Sequence, residues 1–212
     1  MSRAERFGAG IGIAILLFYI ASTTQLIDKA NALTLALAFA IGPVAIVGVR
    51  RLADTLEPDL KGATLGTARL FLVVAFVLFT VMVVVQQMVG LQFQQFLAQA
   101  PDPASTQALR VVYRGVNLVQ LGLDVSFDIF YCLGVIALGA TVYQHPSFGR
   151  LVGGLGIVSG AALLMINLAA FPKVPVEVGL VDVGPVTGLW WLLLIGLQIR
   201  RRRQNPPSLV AA

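Results

Sequence analysis

Asp124 and Asp128 are the residues of this chain whose type and placement could do chemistry. They stand four apart in NLVQLGLDVSFDIFYCLGVIALG, residues 117–139, a stretch apolar enough to cross a bilayer. They are the only carboxylates set deep inside one of the chain's long apolar runs. An acid at bilayer depth costs roughly 2.5–3.5 kcal/mol even on lenient scales, so it needs a compensating role. Two carboxylates one helical turn apart resist being charged together in a dry site. They are expected to share a proton unless a cation or an arginine lies close. Such a pair could bind a cation, carry a proton, or hydrogen-bond to a neighbouring helix. The last use is purely structural, and polar groups on membrane helices often serve as glue worth about 0.6–2 kcal/mol each.

On a helix, Arg110, Arg114, Asn117, Leu121, Asp124 and Asp128 follow one another at steps of three and four and share one face. Tyr131 or Cys132 continues it. With Asn117 at the outer boundary, Asp124 lies about 10 Å deep and Asp128 about 16 Å deep. Other apolar runs carry polar residues toward the same side: Tyr19, Ser22 and Thr23, then Gln86 and Gln87, Asn167, and Trp190. The candidate ligand-binding set is therefore Asp124, Asp128, Asn117, Asn167, Gln86, Tyr131 and Trp190. The distribution describes a polar vestibule open to the outside rather than a through-pore. Trp190 and Trp191 also fit an interfacial aromatic belt. Asp182 reads as a carboxylate stabilised at a helix N-terminus.

The elements that must position these residues follow from composition. Of 212 residues, 58% are hydrophobic and 12% charged, about half the charge of a soluble domain. Mean hydropathy is +0.87. The expected class is all-α, a polytopic transmembrane bundle of six spans in a single domain over residues 1–203. The spans fall near 8–27, 32–50, 68–92, 117–143, 148–170 and 184–200. The first reads as a retained helix rather than a removed leader. Residues 52–67 read as a charged loop, 171–183 as a second loop, and 204–212 as a disordered tail. Pro43 is expected to kink the second span. Past Val85 the third run becomes glutamine-rich and ends at Pro101 and Pro103, with Ser105 a plausible N-cap of the next helix. Nothing from Thr106 to Tyr143 demands a break, so either these two helices project together as a hairpin, which is the expectation, or the chain bends near Gly115. Gly149, Gly153, Gly156 and Gly160 fall on one face of the fifth run and predict a close-packing seam.

Positive charge is uneven. Arg3, Arg6, Arg50, Arg51, Lys61, Arg69, Arg150 and the arginines at 200–203 fall on one side of the six spans. Lys29, Arg110, Arg114 and Lys173 fall on the other. The positive-inside rule then places both termini in the cytoplasm, as for a bacterial inner-membrane protein. The same clustering displaces a nucleic-acid reading of the net charge of +5. Expected partners are the lipid bilayer and either a second copy or another membrane subunit.

Several chemistries lack their residues. His145 is the sole histidine and sits in a turn, so intramembrane haem ligation and a metal role are unsupported. Cys132 is the sole cysteine and reads as a small hydrophobe. No lysine lies inside a span, and no Walker A or HExxH motif is present. No nucleophile–base pair stands at usable spacing, so no catalytic residue and no cofactor is assigned.

The segments LDVSFDIFYCLGVIALG, FGR, GLGIVSGAALLMINLAAFP and VDVGPVTGLWWL, all in the C-terminal half, together resemble a bacterial multi-span family known only as a domain of unknown function. Its most specific parts fall on Asp124, Asp128, Asn167, Gly184, Pro185, Gly188 and Trp190. The resemblance implies an integral membrane protein of about six or more helices and no particular activity.

Overall fold

The computed structural model describes residues 32–56, 63–146 and 148–204. The expected first span at 8–27, with Tyr19, Ser22 and Thr23, lies outside the described residues, as does the tail beyond Gln204. Within the described residues the chain is all-helical: α1 (Ala32–Leu56), α2 (Ala63–Ala98), α3 (Pro103–Tyr143), α4 (Gly149–Ala170) and α5 (Gly184–Gln204). A short 3-10 turn, Pro175–Val178, interrupts the loop between α4 and α5 and is closed by Gly179 at φ 78°. Four of the helices, α1 to α4, are long and apolar enough to cross a membrane. In hydrocarbon a helix satisfies its own backbone, which is why such runs fold this way.

The helices pack in chain order, α1 on α2, α2 on α3, α3 on α4 and α4 on α5. The end holding the α3–α4 turn also gathers Arg50, Arg51, Arg69, Arg150 and Arg200. There Arg69, about a third exposed, pairs with Asp54, about half exposed, at 3.5 Å. An apolar core lies toward this end, built from Leu52, Leu56, Leu72, Val135, Leu138, Val142, Val152 and Leu194.

The 52–67 loop is shorter than its charges imply. α1 runs on to Leu56 and α2 starts at Ala63, because scattered charges at a membrane surface do not stop a helix. Pro43 stands inside α1 without ending it. Gly42 beside it is required for packing, since a Cβ there would run into the Thr80 side chain and the Phe76 carbonyl of α2.

The hairpin is longer than the membrane needs. α3 has 41 residues, about 62 Å, against a hydrocarbon core of about 30 Å. α3 is continuous through Gly115, and it reaches about 28 Å farther from the shared turn than the 22-residue α4. Aromatic pairs hold it against α2 along its length: Phe71–Phe130, Phe76–Tyr131, Phe79–Phe127 and, in the projecting part, Phe93–Tyr113 stacked at 4.0 Å. Its N-cap is Asp102 rather than Ser105. The Asp102 carboxylate accepts from Ser105 N at 2.7 Å, and Pro103 fills the first helical turn.

The glycine seam forms with three of its four expected members. A Cβ on Gly153 would meet the Tyr143 backbone, one on Gly156 the Trp190 ring, and one on Gly160 Val135, Ile136 and the Cys132 carbonyl. Gly149 does something else. It sits at φ 80° in the α3–α4 turn with open space around it, donating its N–H to the His145 carbonyl at 3.1 Å.

Candidate functional site

Asp128 projects from α3 toward α4, where its Oδ2 accepts from Asn167 Nδ2 at 2.8 Å. Asn167 stands three residues before the end of α4, about 5 Å. Three residues further along α3, Tyr131 donates to Thr187 Oγ1 of α5 at 3.2 Å. α3 and α5 run parallel, and Gly184 precedes Thr187 by the same three residues. The first turn of α5 therefore begins at the level of Asp128, and Asp124 lies one turn beyond it.

The loop preceding α5 brings a third acid. Asp182 accepts from Gly184 N at 2.7 Å and so caps α5, as its position before Gly184 implies. It also lies close enough to repel both Asp124 and Asp128 electrostatically. Among the described residues no lysine or arginine comes within ion-pair distance of Asp124 or Asp128, and no donor bonds to Asp124. Both acids are half-buried. One oxygen of Asp128 is engaged by Asn167, and among the described residues the Asp124 carboxylate has no hydrogen-bond donor. That arrangement can hold a proton or face a small cation. Among the described residues no three His, Cys, Asp or Glu side chains gather as a metal site.

Beneath the acids runs a directed hydrogen-bond chain. Trp191 Nε1 donates to the Tyr131 hydroxyl at 3.0 Å, Tyr131 donates to Thr187, and Thr187 donates to the Gly184 carbonyl at 2.8 Å. It ties the first two turns of α5 to α3. Thr187 is 2% exposed. Burial beside Asp128 leaves Cys132 packed at 0% exposure, as a small hydrophobe.

The sequence-predicted set separates in space. Asp124, Asp128 and Asn167 come together, with Tyr131 directly below. Asn117 and Gln86 are exposed higher on the hairpin, Asn117 about 10 Å beyond Asp124, and neither bonds to the acids. Trp190 is neither belt nor ligand wall. It is 4% exposed, packs over Gly156 and donates Nε1 to the Val152 carbonyl at 2.8 Å. Three residues that shape the site were not singled out for it: Asp182, Thr187 and Trp191. Thr187 and Trp191 lie four apart on α5, the spacing of one helix face, and the half-buried Tyr131 hydroxyl calls for such partners.

Comparison with family models, with curated proteins and with solved structures finds no match to this chain.

Proposed function

We propose that this chain is a six-span protein of a bacterial cytoplasmic membrane, with both termini cytoplasmic. It uses Asp124 and Asp128 as a polar site open to the outer side, taking a proton, a small cation or a small amine. The observation that carries the reading is the meeting of Asn167 with Asp128 where α5 begins, beneath an Asp124 that has no cationic partner among the described residues. A knot serving only as glue would engage both carboxylates, whereas among the described residues Asp124 meets neither a hydrogen-bond donor nor a cation. The exposed charges of Lys173, Glu177 and Asp182 in the α4–α5 loop favour water reaching this level. Membership of the multi-span family that the C-terminal half resembles belongs to the same proposal.

Tryptophan emission tests it, since Trp191 is linked through Tyr131 to the residues below Asp128. In detergent, the emission is expected to respond to pH and to sodium or ethylammonium. Asp128→Asn is expected to abolish the response while leaving the melting transition in place. A wild-type protein silent to all three, or a response unchanged in Asp128→Asn, defeats the reading.

A second reading, an accessory subunit of a larger membrane assembly, is favoured by the projecting hairpin, which exposes Phe96, Val111 and Val112. The glycine seam is occupied internally, and Phe71, Phe76 and Phe79 pack on α3. The hairpin tip is thus the surface left for a partner. A photo-crosslinker at position 112 in native membranes would give a discrete protein adduct on this reading and none on the first.

A further inference from the structure

Among the described helices, α5 alone is not long and apolar enough to cross a membrane. From Gly184 to Arg200 it rises about 24 Å, against a hydrocarbon core of about 30 Å. The contacts show on which side the missing length lies. Tyr131 of α3 bonds to Thr187 of α5. Tyr143 and Arg200 then lie about 18 Å and about 20 Å further along these parallel helices, at one level. Arg150 stands over the Tyr143 ring at 6.0 Å, so α4 starts at that level too. From Arg150 to Ala170, α4 rises about 30 Å and crosses the whole core. The first turn of α5 therefore begins about 6 Å inside the level at which α4 ends.

The loop of residues 171–183 must cover that step, and its side chains suit lipid better than water. Val176 and Val181 are 70% and 75% exposed, and Phe171, Val178 and Leu180 are exposed with them. Apolar side chains clustered at a surface in this way mark an interaction site. The backbone suits the same place. Pro172 and Pro175 carry no N–H, and Lys173, Glu177, Gly179 and Leu180 donate theirs to carbonyls of α4 or of the loop itself at 2.9–3.2 Å. A segment that satisfies its own donors leaves water at a reduced cost. Lys173 and Glu177 stay exposed, where their flexible stems can carry charge to the headgroups.

We propose that the α4–α5 loop is embedded in the bilayer. Val176, Val178, Leu180 and Val181 lie among the lipids of the leaflet opposite the α3–α4 turn, and the loop completes the crossing that α5 leaves short. This rests on the reading of α5 as a span and on no role for Asp124 or Asp128.

Spin labels on full-length protein in phosphatidylcholine vesicles test it, each on a single cysteine in a Cys132→Ala background. At Val176→Cys and Val181→Cys, the ratio of oxygen to nickel-chelate collisions is expected to be severalfold higher than at Lys173→Cys and Glu177→Cys. Val158→Cys on α4 supplies the lipid reference and Val112→Cys on the projecting hairpin the water reference. All these positions are exposed, so the labelled proteins should keep the wild-type melting transition. Labels at 176 and 181 that follow position 112 overturn the proposal, and so do labels shielded from both reagents, as beneath another protein surface. Either result leaves the bilayer reading intact as long as position 158 stays lipid-like. A water-like signal at 158 as well defeats the loop and the span together. No acid of the pair is altered in these proteins, so the outcome is independent of whether the acid site responds to pH or cations.

Discussion

The hydroxyl of Tyr131 binds two residues of α5 at once, accepting from Trp191 Nε1 at 3.0 Å and donating to Thr187 Oγ1 at 3.2 Å. Each proton in the chain has one place to go, since Thr187 in turn donates to the Gly184 carbonyl. The first turns of α5, and Asp182 just before them, are thereby held at the level of the two α3 acids.

Tyr131→Phe removes the centre of that chain and keeps the ring. Thr187 retains its bond to Gly184, but the Trp191 indole loses its acceptor. Interhelical hydrogen bonds in membrane proteins are worth about 0.6–1.7 kcal/mol, and a loss in that range is expected. Thermal unfolding in detergent measures it, and Trp191 emission should shift at the same time. A stability loss with unchanged emission would mean that the ring packing, not the hydroxyl, had been disturbed.

Asn167→Leu should destabilise the α3–α4 pairing by about 0.5–2 kcal/mol, through loss of the 2.8 Å bond to Asp128. Asp128→Asn keeps a carbonyl acceptor for the same amide and is expected to cost less. Equal costs for the two substitutions in a denaturant titration would show that this bond contributes little.

The helical class, the long hairpin and the glycine seam were legible because each is a local pattern. Apolar runs, glutamines past Val85 and glycines at steps of three and four announce themselves within one segment. The misread details depend on other parts of the fold. Gly149 shares the seam's spacing, but the tight α3–α4 turn claims it for a positive φ. Ser105 has the right side chain for a cap, but Asp102 directly before Pro103 starts the helix earlier. Trp190 looks interfacial until α4 offers it Gly156 to lie on and the Val152 carbonyl to bond. The place of Asp182 beside the acids depends on how deep α5 begins, which no single segment encodes.

The N-cap of α3 should respond to acid. The bond from the Ser105 backbone N–H, foremost, holds the Asp102 carboxyl below its ordinary value of 3.8. A lowered folded value means that the cap's contribution is fully present above 3.8 and is lost as pH falls through the folded value, which lies lower. Amide exchange at Ser105 and Thr106 is therefore expected to quicken, relative to other α3 amides, only below pH 3.8. Asp102→Asn, which caps without titrating, should remove that pH dependence. Unchanged protection at those amides in acid would mean that Pro103 alone starts the helix.

Three neighbouring glycines of α4 form a graded test of the seam. Gly154 has open space where a Cβ would go, so Gly154→Ala should be neutral or stabilising by up to about 1 kcal/mol through helix propensity. Gly153→Ala drives a methyl into the Tyr143 backbone, which has no rotamer by which to yield, and should cost about 1–3 kcal/mol. Gly156→Ala meets the Trp190 ring instead, and that ring is pinned by its bond to the Val152 carbonyl. Its cost should therefore depend on Trp190. In a Trp190→Leu background the obstructing ring is gone, and Gly156→Ala should lose most of its effect, a coupling that melting temperatures of the four proteins in the cycle measure. Additive effects at 156 and 190, or equal effects at 153 and 154, would show that α4 does not pack on α3 and α5 through these glycines.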